Sequence, residues 1–216
     1  MSKIVWDATG SKKYETGTKN GVLYIQKSDG TYDEGVAWNG LISVTESPSG
    51  AEEQAMYADD IKYASLYSAE EFGATVESYT YPDEFAECDG SYEIQPGVFV
   101  GQQNRKTFGM CYKTVIGNDT ENEAHGYKLH LIYGAKASPS ERAYTTINDS
   151  PEAITFSHEL TTTPVSVTGY KPTSCITIDS TQVTAAKLAA LEDVLYGTTE
   201  NASYLPLPDE VITLLT

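Results

Sequence analysis

The chain has 216 residues, 40% of them apolar, with 16 tyrosines and a formal net charge of −17 at pH 7. That length supports one well-buried core with appendages, and nothing in it approaches the run of about 18 apolar residues that a membrane-spanning helix needs. The acid excess argues against sequence-independent nucleic-acid binding, which requires lysine and arginine to displace counterions from phosphates. Three scattered cysteines, Cys88, Cys111 and Cys175, have no CxxC spacing and suggest neither a disulfide framework nor a zinc site.

The charge is polarised along the chain. Residues 1–28 sum to +3, residues 29–100 to −15, residues 101–171 to zero and residues 172–216 to −5. Asymmetry of this kind points to partners rather than to fold. The opening MSKIVWDATG lacks the apolar run of a secretory signal, so synthesis in a cytoplasm is expected.

In chain order, VLYIQK (22–27) and VAWNGLISVT (36–45) read as two strands joined by a short turn, with Trp38, Ile42 and Val44 in one phase. Glu46–Tyr63, ESPSGAEEQAMYADDIKY, is neither a tight turn nor an amphipathic helix, and is read as a long acidic arm. Ile61–Ser68 follows as a strand. In FGATVESYTY (72–81) alternation places Phe72, Ala74 and Val76 on a buried face, and Glu71, Gly73, Thr75 and Glu77 on a wet one. PDEFAECDG (82–90) suits a turn or two of helix.

RKTFGMCYKTVI (105–116) alternates with Phe108, Met110, Tyr112, Thr114 and Ile116 in phase, and YKLHLIY (127–133) with Tyr127, Leu129, Leu131 and Tyr133. The polar GNDTENEAHG between them is expected to be the hairpin loop. ITFSHEL (154–160) is another strand, with His158 on the apolar phase as a buried, hydrogen-bonded histidine. Val165–Thr168 and Cys175–Ile178 are shorter strands. The period then becomes helical over about 181–196, with Asp179 or Ser180 as N-cap and Gly197 as the stop. The tail 197–216 ends in an apolar run that suits a short strand or helix. The fold class expected is mainly β: an antiparallel sandwich or partly closed barrel of two packed sheets with one flanking α-helix.

No GxSxG, HExxH, P-loop or GxGxxG motif is present, and no enzyme is expected. Asp119-Thr-Glu121-Asn-Glu123 opens like a calcium loop, but Ala124 stands where glycine is required and His130 where glutamate is required. Adjacent acids on strands point to opposite faces and do not converge as a glycosidase pair. No cofactor and no metal is expected.

The ordered segments GVAWNGLISVTESPSGAEEQAMYADDIKYASLYSAEEFGATVESYTYPDEFAECDGS, GVFVGQQNRKTFGMCYKTVIGNDTENEAHGYKLHLIYGAKASPSERAYTTINDSPEAITFSHELTTTPV and LAALEDVLYGT with LPLPDEVITLL resemble the major tail proteins, or tail-tube subunits, of long-tailed bacteriophages. The resemblance runs from about Gly35 to the end. It implies a single tail-tube domain over residues 1–216, stacked as hexameric rings into a hollow tube through which phage DNA is ejected without specific binding. It further implies a virion tail location and, as partners, other copies of the chain, a tape measure protein, a tail terminator and tail-tip proteins. Under this reading the arm reaches a neighbouring subunit through Met56, Tyr57, Asp59 and Asp60, and Glu71 and Glu77 are candidate lumen acids. A carbohydrate- or receptor-binding β-sandwich of a virion is the alternative, and a solvated loop is the alternative for the arm.

Overall fold

The computed structural model describes residues 3–147, Asp149 and 152–216. In chain order it runs through β1 (Lys13–Ile25), β2 (Val36–Trp38), β3 (Leu41–Glu46), β4 (Ser49–Gly50), β5 (Glu53–Ala58), β6 (Ile61–Tyr67), β7 (Glu70–Glu71) and β8 (Gly73–Ser78). After α1 (Phe85–Cys88) come β9 (Tyr92–Gln95), β10 (Val98–Val100), β11 (Phe108–Asn118), β12 (Asn122–Ala137), β13 (Phe156–Thr162), β14 (Cys175–Asp179), α2 (Ala185–Tyr196) and α3 (Pro208–Leu215).

The main sheet is antiparallel throughout, in the order β2-β1-β11-β12-β13-β8-β3, with β14 also paired to β12. Its two end strands, β2 and β3, are consecutive in the chain and joined only by Asn39-Gly40. The ends of the sheet are therefore held together covalently, which curls it into a partly closed barrel. The folding-back happens in β12. Lys128–Ile132 pair with β14, while Ala135–Ala137 pair with β13. Between them Gly134 has φ +59°, and a Cβ there would lie 2.2 Å from the Thr163 carbonyl oxygen. The β11–β12 register slips at the same place, as at a β-bulge.

Two cores result, one on each side of the central strands. Leu23, Trp38, Val76, Phe108, Met110, Ile132 and Leu160 fill the barrel, which Phe85 of α1 enters from one end. On the other side Tyr24, Leu129, Leu131, Tyr133 and Ile178 lie under Leu188, Leu191 and Leu195 of α2 and Val211 of α3. Full burial of each such side chain is worth about 1.5–3 kcal/mol, which keeps both helices on the sheet. The phenols are satisfied there: Tyr24 Oη donates to the Leu195 carbonyl at 2.6 Å and Tyr133 Oη to the Pro206 carbonyl at 3.0 Å.

The mainly β, antiparallel expectation agrees with the structure, and several local expectations need correction. The 36–45 strand is broken at Gly40 (φ +71°), which resets the phase so that Trp38 is buried while Ile42 is 37% exposed. The 117–126 connection is far shorter than its polar composition suggested, because β11 and β12 extend to pair Asn118 with Asn122. Val165 forms only an isolated bridge with Thr173. Helix α2 starts at Ala185, and Asp179 instead accepts from Thr181 in the preceding turn. It is one of three helices among the described residues; α3 begins with Pro208 at its first position, where the missing amide proton costs nothing.

Candidate assembly surfaces

The acidic arm is a β-ribbon. Strands β5 and β6 pair with each other, and the two-residue strands β4 and β7 pair at its base. Ile61–Ser68, expected as a separate strand after the arm, is its returning half. At the tip Asp59 and Asp60 have φ +51° and +64°, the geometry of a type I′ turn, which matches the right-handed twist of a hairpin. Aspartate tolerates this left-handed conformation better than most residues. Tyr57 and Tyr67 project from one face and Met56 and Leu66 from the other, and all four are exposed, Tyr57 by 73%. Lys62 and Ser65 hydrogen-bond the Glu53 carboxylate and hold it below the usual carboxylate range.

The root of the ribbon is tied to the barrel mouth. Tyr112 Oη donates to Glu46 Oε1 at 2.7 Å, and the His130 ring stacks on Tyr112 at 4.6 Å with its Nδ1 3.6 Å from the same carboxylate oxygen. Burial lowers the His130 pKa, with Glu46 acting in the opposite direction. Burial, with the Glu46 hydrogen bond, raises that of Tyr112.

The two candidate lumen acids lie on different strands. Glu77 is on β8, half-buried, and accepts from Ser43 Oγ at 3.0 Å. It shares the outer face of the barrel with the polar Thr75, Ser43 and Thr45 of β3 and Ser157 and Glu159 of β13, beside the exposed Ile42 at the β3 bulge. Glu71 is exposed on β7 opposite Ser49, at the base of the ribbon. Phe72, between the two strands, packs against the barrel core with Ala74 and Val76.

At the other end of the barrel, Asp89 receives both Arg105 and Arg142, and Arg142 also lies over the Tyr81 and Phe156 rings. His158 is buried beside them among Trp38, Tyr81 and Phe85. Contrary to expectation, neither of its ring nitrogens has a hydrogen-bond partner among the described residues. No cluster of histidine, cysteine and carboxylate residues suited to a metal occurs among the described residues.

A second exposed apolar element is Ile4-Val5-Trp6, between 68% and 77% exposed. It leads into Gly10, whose amide donates to Asp119 Oδ1 at 3.0 Å at the β11–β12 turn. Sequence reasoning singled out Met56, Tyr57, Asp59 and Asp60, and the return strand adds Ile61, Tyr63, Leu66 and Tyr67 to the same exposed ribbon. The signal was available: Asp59-Asp60 between two alternating runs has the form of a two-residue hairpin turn. The chain matches no known protein family and no curated protein.

Proposed function

We propose that the chain is a structural protein that polymerises with copies of itself, as the major tail-tube subunit of a long-tailed bacteriophage. The observation that carries this reading is the ribbon. A two-stranded ribbon on its own is at best marginally stable in water, both of its outer edges are unpaired, and this one exposes large apolar side chains on both faces. Such an element gains its stability from a partner, and charge favours a second copy: the ribbon belongs to the −15 segment and the N-terminal 28 residues carry +3. Contact between two different patches of one chain is heterologous and closes into rings or propagates as filaments.

In this reading hexameric rings stack into a hollow tube in the virion tail. The polar face with Glu77 and Glu159 then suits a lumen wall, since carboxylates repel phosphates and DNA slides without specific binding. Tape measure, terminator and tail-tip proteins would be the remaining partners, and no catalytic step is assigned.

The test replaces residues 51–69 with a short Gly-Ser linker. The variant is expected to keep its circular dichroism spectrum and to stay monomeric, while the wild-type protein forms hollow tubes in negative-stain microscopy under the same conditions. Wild-type protein that stops at discrete dimers or trimers would refute the tube, and tubes from the variant would remove the ribbon from the assembly.

A further inference from the structure

Strands β1, β11, β12 and β14 form a four-stranded section of the sheet whose two outer edges are open. Among the described residues Lys13–Asn20 have no strand beyond β11, because β2 reaches only Gly21–Leu23. On the far side β14 pairs, among the described residues, with β12 alone. Beside the open edge of β14 runs a groove of about 340 Å³, between that strand and α3. Its apolar lining is Ile176, Ile178, Val183, Val211, Ile212 and Leu215, and Thr177, Asp179, Gln182 and Thr216 line it as well. An open strand edge next to a helix offers main-chain hydrogen bonds for an added strand and an apolar slot for alternate side chains of that strand.

We infer that this groove receives the Lys3–Asp7 segment of a second copy, added as a strand to β14. The inference rests on the self-assembly reading and names its contact. Ile4, Val5 and Trp6 are the exposed apolar residues that need cover, and in a single copy they stay in solvent. The segment runs into Gly10, which bonds Asp119 in the β11–β12 turn at the end of the sheet, and in its own chain Ile4, Val5 and Trp6 are exposed rather than seated in the β14 groove. In a head-to-tail arrangement the β1 edge of one copy faces the β14 edge of the next, which brings the two together. Charge agrees for the flanking chain: Lys3 and Asp7 cancel within the inserted segment, while residues 1–28 as a whole carry +3 and residues 172–216, which hold the groove, carry −5. In an added strand Ile4 and Trp6 share one face and enter the slot beside Ile176 and Ile178, and Val5 faces the other way with exposed Thr177.

The test uses disulfide trapping between full-length chains. Val5→Cys and, to cover a two-residue slip in register, Lys3→Cys and Asp7→Cys are each mixed with Thr177→Cys under a mild oxidant. Every position is exposed, so the fold is kept, and each single variant alone controls for the native cysteines. The expected result is a disulfide-linked dimer in at least one mixture, well above both controls. It should fall about tenfold when the Thr177→Cys chain also carries Ile212→Asp, because a carboxylate then sits where Trp6 or Ile4 packs. No trapped dimer in any mixture, or trapping that Ile212→Asp leaves unchanged, would overturn the inference. So would a dilute chain carrying Val5→Cys and Thr177→Cys together that closes only on itself. Microscopy of the same samples separates the two readings: tubes without trapping sink the groove alone, and trapping without tubes sinks the tube alone.

Discussion

His158 gives the sharpest test of the barrel. It is 1% exposed, has no hydrogen bond at either ring nitrogen among the described residues and is ringed by Phe85 at 4.8 Å, Tyr81 at 5.6 Å and Trp38 at 6.3 Å. Burial pushes its pKa down from 6.5 to about 4; Asp89 opposes the shift and Arg142 and Arg105 add to it. Because the folded pKa lies below the unfolded one, the unfolded chain binds the extra proton as pH falls below 6.5. The stability contributed by keeping the ring neutral is complete above that pH and is lost progressively down to about 4. A gap of about 2.5 pH units at 1.36 kcal/mol each is a loss of about 3 kcal/mol, of which about 2 kcal/mol has gone by pH 5. His158→Leu removes the titration, keeps roughly the volume and relieves two unbonded nitrogens, so its stability at pH 7.5 should stay within about 1.5 kcal/mol of wild type. Urea unfolding followed by circular dichroism at pH 7.5 and pH 5 gives both numbers. The wild type should lose about 2 kcal/mol more than the variant between the two pH values. Equal losses would show that His158 is solvated or paired, and the packing described for the barrel end would be wrong.

Two further substitutions probe the devices that shape the barrel. Asp89→Ala should cost about 3 kcal/mol in urea unfolding, because it leaves the Arg105 and Arg142 guanidiniums partly buried without their shared carboxylate; a cost below about 1 kcal/mol would make the cluster an ordinary surface pair. Gly134→Ala should cost at least about 2 kcal/mol, since it combines a left-handed backbone with a Cβ driven onto the Thr163 carbonyl; a variant as stable as wild type would mean that β12 does not turn there.

Alternation told which residues share a face but could not tell which core that face meets. Phe108, Met110 and Tyr112 form one set, and Tyr127, Leu129, Leu131 and Tyr133 another, as their period of two implies. Yet the pairing of Cys111 with Leu131 and of Tyr112 with His130 sets them on opposite sides of the sheet. The first set fills the barrel and the second meets the helices. Both assignments depend on register, which the bulge at Gly134 sets and local periodicity cannot carry. The same limit explains the error at Gly40, where an alternating pattern read across a break keeps its phase on paper and loses it in the chain. At Phe72 the inward phase of Ala74 and Val76 is kept, and what periodicity could not show is that Glu71 pairs with Ser49 on a separate strand. The arm was legible as an anomaly, acidic yet rich in tyrosine, and its turn is written in Asp59-Asp60. Its meaning was harder to read, because apolar residues in a pattern normally signal burial within their own chain. Tyr57, Tyr63 and Tyr67 break that rule, since they alternate as core residues do and remain in solvent. Under the self-assembly proposal a ribbon patterned for burial but unburied in the single chain finds its missing half on another copy, and the same reasoning applied to Ile4, Val5 and Trp6 leads to the open edge of β14.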